Sequence, residues 1–278
     1  MLTDFAMITF QCKVVLDNIM DRIAKKIASY GYCSRRDAEI LIFAGRVKIN
    51  GAIEKNPAIK ISDSDIIEID NKIINSKIQP KIFLYHKPVG VITTARDPQG
   101  RTTVLQRIAM DYPHITERLI YVGRLDINSS GLLLLTNTPA VANFLETAKF
   151  LRIYKVRISG KLSSEQIEKI KSGIIIDGIK YSGISDIKNI VENDERGKGG
   201  HEKNQWIQIS LTEGKNREIR KIINNFGLSV SKLVRTNYHN FSLENLQTGK
   251  IIEADNKSTT KVLQAMKELS TQKNSLQQ

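Results

Sequence analysis

A carboxylate placed at the edge of an apolar segment is the clearest sign of chemistry in this sequence. Arg124 and Asp126 lie in a stretch rich in Gly and Ser, and the run Leu132–Leu135 follows directly. An ionised side chain at such an edge is costly unless it has a partner. An Arg-Leu-Asp triplet alone most often marks a surface ion pair. The run from Gly123 to Asn137, however, mixes polar and apolar positions in a fixed order, which makes it far more specific than the triplet.

The whole chain is strongly basic. It has 278 residues with 42 Lys+Arg against 29 Asp+Glu, a net charge of +13 and a pI of about 9.6. This excess favours a polyanionic partner such as nucleic acid, because phosphate neutralisation releases counterions, although a basic face can also be merely solvated. The length allows one large domain or a small domain followed by a large one.

Other features narrow the class of protein. Cys12 and Cys33 form no disulfide framework and no Cys/His cluster has metal spacing, which fits a reducing cytoplasm. No apolar run approaches the roughly 20 residues of a membrane helix. Residues 1–19 lack the features of a signal peptide, so they are either a disordered extension or a segment that precedes a start at Met20.

Residues 20–74 are predicted to form a small unit of two helices, a hairpin and a strand. Gly31 ends the first helix, and Ser34 followed by Asp37 predicts a capped start for the second. Alternating residues around Asn50-Gly51 predict a hairpin, and Asp65–Ile69 a closing strand.

After a linker at 75–81, residues 82–256 are predicted to form an α+β domain on a mixed, mostly antiparallel sheet. The predicted strands are Ile82–His86, Leu119–Val122, Leu132–Thr136, Ile153–Ser159, Gln205–Leu211 and Ser229–Arg235. The predicted helices are Ala140–Thr147, Ser163–Ser172 and Asn216–Phe226. Glu192–Lys203 is expected to be a polar inserted loop, and 257–278 a polar tail around a short helix at Thr260–Leu269.

The stretch Gly-Arg-Leu-Asp, then Ser-Ser-Gly, four leucines and Thr-Asn resembles the signature of the RNA pseudouridine synthases of the RsuA/RluB type. Three further segments match that family in order: Lys87–Thr93, Arg152–Val156 and Leu211–Lys221. The form of the loop Thr94–Val104 is most similar to the RluB branch, which implies a large-subunit ribosomal RNA substrate.

The small N-terminal unit resembles the αL RNA-binding module first named for a small-subunit ribosomal protein. The resemblance rests on the segments Ser34–Glu39 and Gly45–Gly51 and on the spacing between them. It implies a basic face for phosphate contact, which consists of Arg35, Arg36, Arg46 and Lys48.

The resemblance implies an enzyme that breaks the glycosidic bond of a uridine, turns the uracil and joins its C5 to C1′ of the ribose. Asp126 matches the catalytic carboxylate, Arg220 its basic partner with Arg217 as the alternative, and Tyr154 the aromatic face that holds the base. The sequence leaves open whether the aspartate attacks C1′ or removes a ribose proton. No metal or redox cofactor is implied.

Reaching a stacked base requires that it leave its stack, so further basic residues are expected on the RNA. In relatives, the arginine of the Arg-Leu-Asp triplet helps to hold the gap. The predicted RNA-contacting residues of the large domain are Lys87, Arg96, Arg101, Arg124, Lys215 and Arg217. The chain is expected to act as a monomer on ribosomal RNA or a pre-ribosomal particle, away from membranes. A small-subunit rRNA synthase and a non-catalytic ribosome-assembly factor remain as alternatives.

Overall fold

The computed structural model describes residues 20–74, 78–190 and 204–275. The predicted extension at 1–19 and the predicted loop Glu192–Lys203 lie outside these residues. The chain divides into two compact units, one running up to Pro80 with the short segment Asn137–Ala140, the other comprising Lys81–Thr136 and the residues from Val141 onward.

The first unit contains the predicted helix-helix-hairpin-strand order. Its helices are α1 (Ile23–Ser29) and α2 (Arg35–Phe43). Its strands are β1 (Asp21–Arg22), β2 (Val47–Ile49), β3 (Ala52–Glu54), β4 (Lys60–Ile61), β5 (Ile67–Ile69) and β6 (Lys72–Ile73). Strands β3-β2-β5-β6 form one sheet and β1-β4 a second. A core composed largely of isoleucines, including Ile23, Ile27 and Ile42, joins helices and strands.

Two local predictions for this unit are confirmed. The Ser34 hydroxyl accepts a hydrogen bond from the Asp37 amide at 3.1 Å and so caps α2. The same hydroxyl also donates to the Asp37 carboxylate at 2.6 Å. In a full capping box, that carboxylate would accept from the Ser34 backbone amide instead. Asn50 and Gly51 have φ values of 49° and 84°, as a two-residue hairpin turn requires.

The second unit is built on a nine-stranded sheet. Its strands are β7 (Ile82–Lys87), β8 (Ile120–Tyr121), β9 (Ser130–Thr136), β10 (Arg152–Ser159), β13 (Ile184–Asn189), β14 (Asn204–Leu211), β15 (Ser229–Tyr238), β16 (Phe241–Ser242) and β17 (Ile251–Glu253). The order is β13-β14-β10-β15-β9-β7-β17, with β16 on β15 and β8 on β9. A separate hairpin consists of β11 (Ile174–Ile176) and β12 (Ile179–Tyr181).

Only β9 and β15 pair in parallel among the described strands, so the predicted mixed, mostly antiparallel sheet is confirmed. At this junction Gly131 lies opposite Arg235. A β-carbon on Gly131 would lie 2.2 Å from the Arg235 carbonyl oxygen, and the φ of Gly131 is +106°. The close approach of the two strands therefore requires glycine.

The leucine run of β9 is buried on both faces of the sheet. Leu133 and Leu135 belong to one hydrophobic cluster, whereas Leu132 and Leu134 belong to the other. Both faces are covered, which explains a continuous apolar run rather than an alternating one.

The helices that flank the sheet are α3 (Val104–Asp111), α4 (Pro139–Thr147), α5 (Ser164–Ser172), α6 (Glu218–Asn225) and α7 (Asn256–Ser275). The sequence did not predict α3, although Thr103 and Gln106 form a complete capping box at its start. None of the helices in the described ranges is long and apolar enough to cross a membrane.

The expectation of a polar tail with one short helix is wrong. Helix α7 spans 20 residues, begins earlier than predicted and buries Val262 completely. The Asp255 carboxylate accepts a hydrogen bond from the Ser258 amide at 2.8 Å, which caps the helix start. Leu263 and Met266 pack on the same cluster as Val262, so helical spacing joins this helix to the domain core.

Candidate active site

The turn that carries Asp126 connects β8 to β9 and is held by backbone contacts. The Ser129 amide donates to the Asp126 carbonyl at 3.0 Å. The Thr93 hydroxyl donates to the Leu125 carbonyl at 2.9 Å, and the Gly90 amide donates to the Ile127 carbonyl at 2.8 Å. The segment around Thr93 therefore fixes the backbone on either side of Asp126, while the Asp126 side chain remains 33% exposed.

Two arginines face the Asp126 carboxylate. An Arg217 terminal nitrogen lies 3.5 Å from Asp126 Oδ2, and Arg220 Nε lies 3.9 Å from the same oxygen. The structure thus brings both the predicted partner, Arg220, and the alternative, Arg217, to the carboxylate. Arg124 is exposed at the rim of the cleft, and in the described part of the chain Asp126 pairs with the other two arginines instead.

Arg220 lies behind the carboxylate rather than in the open cleft. It is 8% exposed and donates to the carbonyls of Val230 and Asn128, each at 2.9 Å. Burial and the nearby Arg217 lower the pKa of Arg220, whereas Asp126 opposes this shift. Arg220 therefore joins the Asp126 turn to β15 while it supplies a positive charge beneath the carboxylate.

Arg217 reaches Asp126 from a tight turn before α6. Its φ is 52°, in the left-handed region that non-glycine residues adopt with strain. The Glu218 carboxylate accepts a hydrogen bond from the Lys215 amide at 2.9 Å across this turn. Burial raises the pKa of Glu218 to about 7. Burial alone would also raise the pKa of Glu213, but the Lys215 ammonium and the Ser182 amide lower it to about 2.

Asp126, Tyr154, Lys215 and Arg217 border one cleft of about 480 Å³. Tyr154 is 9% exposed and lies on β10. Across the sheet it pairs with Ile209 and Arg235. An aromatic ring fixed between two strands beside a carboxylate can stack on a planar ring held in the cleft.

Arg152 and Arg235 also line this cleft, and the sequence reasoning assigned them no role. Arg152 lies two residues before Tyr154 on β10, and the strand period places both side chains on one face. That period could have identified Arg152. Arg235 had no comparable signal, because its position depends on the parallel pairing of β15 with β9.

The expectation that Lys87 contacts the RNA backbone is wrong. Lys87 is completely buried, and its ammonium donates to the carbonyls of Pro88, Asp126 and Ser129 at 2.9, 3.1 and 2.8 Å. Burial lowers the pKa of Lys87 to about 8. Lys87 therefore supports the Asp126 turn from beneath.

The other predicted RNA-contacting residues lie at the surface. Arg96 is exposed, and Arg101 pairs with Asp97 at 2.8 Å. Lys215 is 37% exposed and pairs with Glu213 at 2.7 Å. Arg96 and Arg101 are both exposed in the loop before α3.

In the N-terminal unit, Arg35 and Arg36 are exposed in the first turn of α2. Arg46 pairs with Asp70 through two hydrogen bonds, and Lys48 donates to Asn71 at 2.9 Å. The predicted basic face thus includes two cations, Arg46 and Lys48, that already have surface partners.

Within the ranges that the structure describes, no group of three or more His, Cys, Asp or Glu residues could hold a metal ion. In the cleft region, the Asp126 carboxylate faces the guanidinium groups of Arg217 and Arg220 and shares the cleft with Tyr154.

Comparisons with known proteins identify the family of the chain. The RNA pseudouridylate synthase family model matches residues 81–225, and the S4 domain model matches residues 21–67. An uncharacterized RNA pseudouridine synthase of Rickettsia felis is 42% identical over 240 residues, which are 86% of this chain and 98% of that protein. The ribosomal large subunit pseudouridine synthase B of Haemophilus influenzae is 36% identical, and the match covers 80% of this chain and 61% of that protein.

A crystal structure of a pseudouridylate synthase matches the fold. Its TM-score is 0.58 at 23% identity, and the match covers 87% of this chain and 99% of that chain. The two family models match on either side of the boundary near Pro80, and the 42% identical relative spans 86% of this chain. These matches show the family of the chain. The chain belongs to the RNA pseudouridine synthase family and carries an N-terminal S4 domain.

Proposed function

We propose that this enzyme converts a specific uridine of large-subunit ribosomal RNA to pseudouridine, with Asp126 as the catalytic residue. The observation that carries the proposal is the meeting of Asp126, Arg217 and Tyr154 in one cleft, with Arg220 beneath the carboxylate. The proposed substrate class is supported by relatives named as ribosomal large subunit pseudouridine synthase B in Haemophilus influenzae and Yersinia pestis.

The proposed roles follow from the position of each group. Asp126 acts either as a nucleophile at C1′ or as a base toward the ribose, with the guanidinium groups of Arg217 and Arg220 beside it. Tyr154 stacks on the uracil after the glycosidic bond breaks, so that the base reorients without leaving the cleft. Arg124 at the rim supports the stack from which the uridine was removed. No residue in this scheme requires a metal or redox cofactor.

We also propose a division of work between the two parts of the chain. Residues 20–74 bind an RNA helix through Arg35, Arg36, Arg46 and Lys48, and residues 82–256 carry the reaction. The exposed first turn of α2 supports this, because free amides at a helix start and adjacent arginines both favour phosphate.

The test is a chemical map of pseudouridine in ribosomal RNA from a strain that lacks the protein. Adding back the purified protein should restore one site in the large-subunit RNA, and Asp126→Asn should reduce its formation at least about a thousandfold. Asp111→Asn is the matched control, since Asp111 also pairs with an arginine and its side chain is 34% exposed. That variant should retain full activity.

Two results would contradict the proposal. A restored site in small-subunit RNA would overturn the substrate assignment. An Asp126→Asn variant as active as the parent would overturn the catalytic role.

A further inference from the structure

Two buried arginines at one end of the cleft have no carboxylate partner in the described part of the chain. Arg152 is 8% exposed and Arg235 is 2% exposed, and both line the cleft that contains Asp126. A guanidinium that loses its hydration without a facing negative charge destabilises the folded protein. Their burial therefore calls for an explanation beyond packing.

The two guanidinium groups flank the ring of Tyr238. The central carbon of the Arg152 guanidinium lies 4.8 Å from the ring centroid, and that of Arg235 lies 5.1 Å from it. The Tyr238 hydroxyl accepts a hydrogen bond from Arg152 at 3.0 Å and donates its own to the Leu145 carbonyl at 2.6 Å. The Tyr238 ring thus contacts both guanidinium groups without neutralising the charge of either one.

Most of the N–H donors on these arginines have no acceptor within residues 20–74, 78–190 and 204–275. Arg152 makes one further, long contact of 3.5 Å to the Thr212 carbonyl. Arg235 donates through Nε to the Leu132 carbonyl at 2.7 Å, and one of its terminal nitrogens is buried with no hydrogen-bond partner among the residues that the structure describes. Because a guanidinium offers five N–H donors in a planar fork, the pair has spare donors that suit an oxyanion with several acceptor oxygens.

We propose that Arg152 and Arg235, held by Tyr238, form a phosphate subsite that binds a backbone phosphodiester of the RNA beside the reacting uridine. Arg235 pairs with Tyr154 across the sheet, and Arg152 precedes Tyr154 by two residues on the same face. The phosphate therefore enters next to the ring proposed to hold the base. This inference rests on the proposed function, which supplies RNA as the source of the phosphate.

The first experiment measures RNA binding in the inactive Asp126→Asn background, so that turnover does not affect the result. Binding of a transcribed large-subunit rRNA fragment is followed across a series of salt concentrations. Arg152→Met should weaken binding about tenfold and reduce the slope of log K against log salt by about 0.7, the value for one single-strand phosphate contact. Arg152→Gln, whose amide keeps a donor near Tyr238, should give the same reduced slope as Arg152→Met.

Lys232→Met is the matched control. Lys232 is exposed on β15, the strand that carries Arg235, and it does not line the cleft. The substitution removes the same charge, and it should leave both the affinity and the salt slope close to those of the parent. Equal effects of Lys232→Met and the Arg152 variants would overturn the subsite.

The second experiment separates a binding role from a structural one. If Arg152 is buried for a ligand, the free Arg152→Met protein should unfold at the same temperature as the parent or up to about 3 °C higher. A lower unfolding temperature combined with an unchanged salt slope would show that Arg152 is structural and would overturn the proposal.

A further arm adds inorganic phosphate alone. If phosphate raises the unfolding temperature of the parent while the Arg152 variants bind RNA as the parent does, the site belongs to free phosphate. This result would overturn the RNA assignment. RNA binding that depends on Arg152 in a protein that forms no pseudouridine would leave the subsite intact and contradict the proposed function instead.

Discussion

The arginines of the N-terminal unit and those around the cleft carry equal charges in very different surroundings. Arg35 and Arg36 are exposed, and Arg46 makes an exposed pair with Asp70. Arg220 is nearly buried and donates to the backbone carbonyls of Val230 and Asn128. An exposed guanidinium keeps its hydration, so its removal changes folding little. The buried Arg220 guanidinium instead joins the Asp126 turn to β15, so its removal is expected to destabilise the fold. The net charge of +13 therefore combines two kinds of cation that respond differently to substitution.

The largest effect is expected from Arg220→Met, which tests the buried side of this comparison. The variant loses a charge beneath Asp126 and two hydrogen bonds to Val230 and Asn128. Turnover should fall about 10²–10³-fold, and the free energy of unfolding should fall by about 2–4 kcal/mol. Single-turnover rates and urea unfolding measure the two effects.

Arg107→Met is the control for that experiment. Arg107 forms an exposed ion pair with Asp111 on α3, so its removal should change the unfolding free energy by less than about 0.5 kcal/mol. If the two arginines proved equally dispensable, burial would not be the property that separates them.

Lys87→Met should have the next largest effect. It removes three hydrogen bonds to backbone carbonyls, two of them in the Asp126 turn, and should lower the unfolding free energy by about 1–3 kcal/mol. Turnover should fall about tenfold because the turn loses its support, whereas RNA affinity should not change. An exposed lysine, Lys250, replaced by Met provides the control. Weaker RNA binding with normal turnover would restore Lys87 to the RNA-contacting group.

Glu218→Gln tests the free-energy cost of burying a negative charge next to Lys215. Burial raises the folded pKa of Glu218 to about 7 from an ordinary 4.5, while Glu213 and Lys215 face it across the turn. A raised pKa gives stability that is fully present below about pH 4.5 and is lost as pH rises through about 7. The variant should therefore be more stable than the parent at pH 8, by about 1–2 kcal/mol after allowance for partial solvent access, and the difference should shrink toward pH 5. Urea midpoints of the parent and the variant at pH 5, 6, 7 and 8 measure this difference in stability. A difference that does not vary with pH would contradict the raised pKa of Glu218.

The smallest effect on stability is expected from the exposed arginines of the N-terminal unit. Replacing Arg35 and Arg36 together by Gln should change the unfolding free energy by less than about 0.5 kcal/mol. The slope of log K against log salt for RNA binding should nevertheless fall by about one for each phosphate that these arginines neutralise in the parent. Lys60→Gln, an exposed charge on β4, is the control. An unchanged slope would remove the first turn of α2 from the RNA-binding face.

Local signals in the sequence predicted local structure well. The Asn50-Gly51 turn and the Ser34 cap depend on groups within a few residues of one another, and both are present. Helix α3 was missed because its capping box lies at the end of a stretch interpreted as a loop. Helix α7 was predicted too short because Val262 is only recognisable as a core residue once the domain is assembled.

The candidate site could be predicted only where the family resemblance supplied it. Asp126, Tyr154 and Arg220 were matched through the four segments, and the structure places them close together. The burial of Lys87 could not be predicted, because two of its three acceptors lie on a turn about 40 residues later. The position of Arg235 depends on a strand pairing between residues about 100 apart in sequence.

The glycine contact between β9 and β15 has a consequence for how the enzyme becomes active during synthesis. Gly131 follows the Asp126 turn, whereas Arg235 belongs to a strand made about 100 residues later. Closing so long a loop is entropically costly, so this parallel junction is expected to form late in folding. A nascent chain that has emerged only as far as α5 lacks both α6 and β15. The Asp126 carboxylate therefore meets Arg217 and Arg220 only when nearly the whole domain has been synthesised, so a partly made chain lacks the complete candidate site.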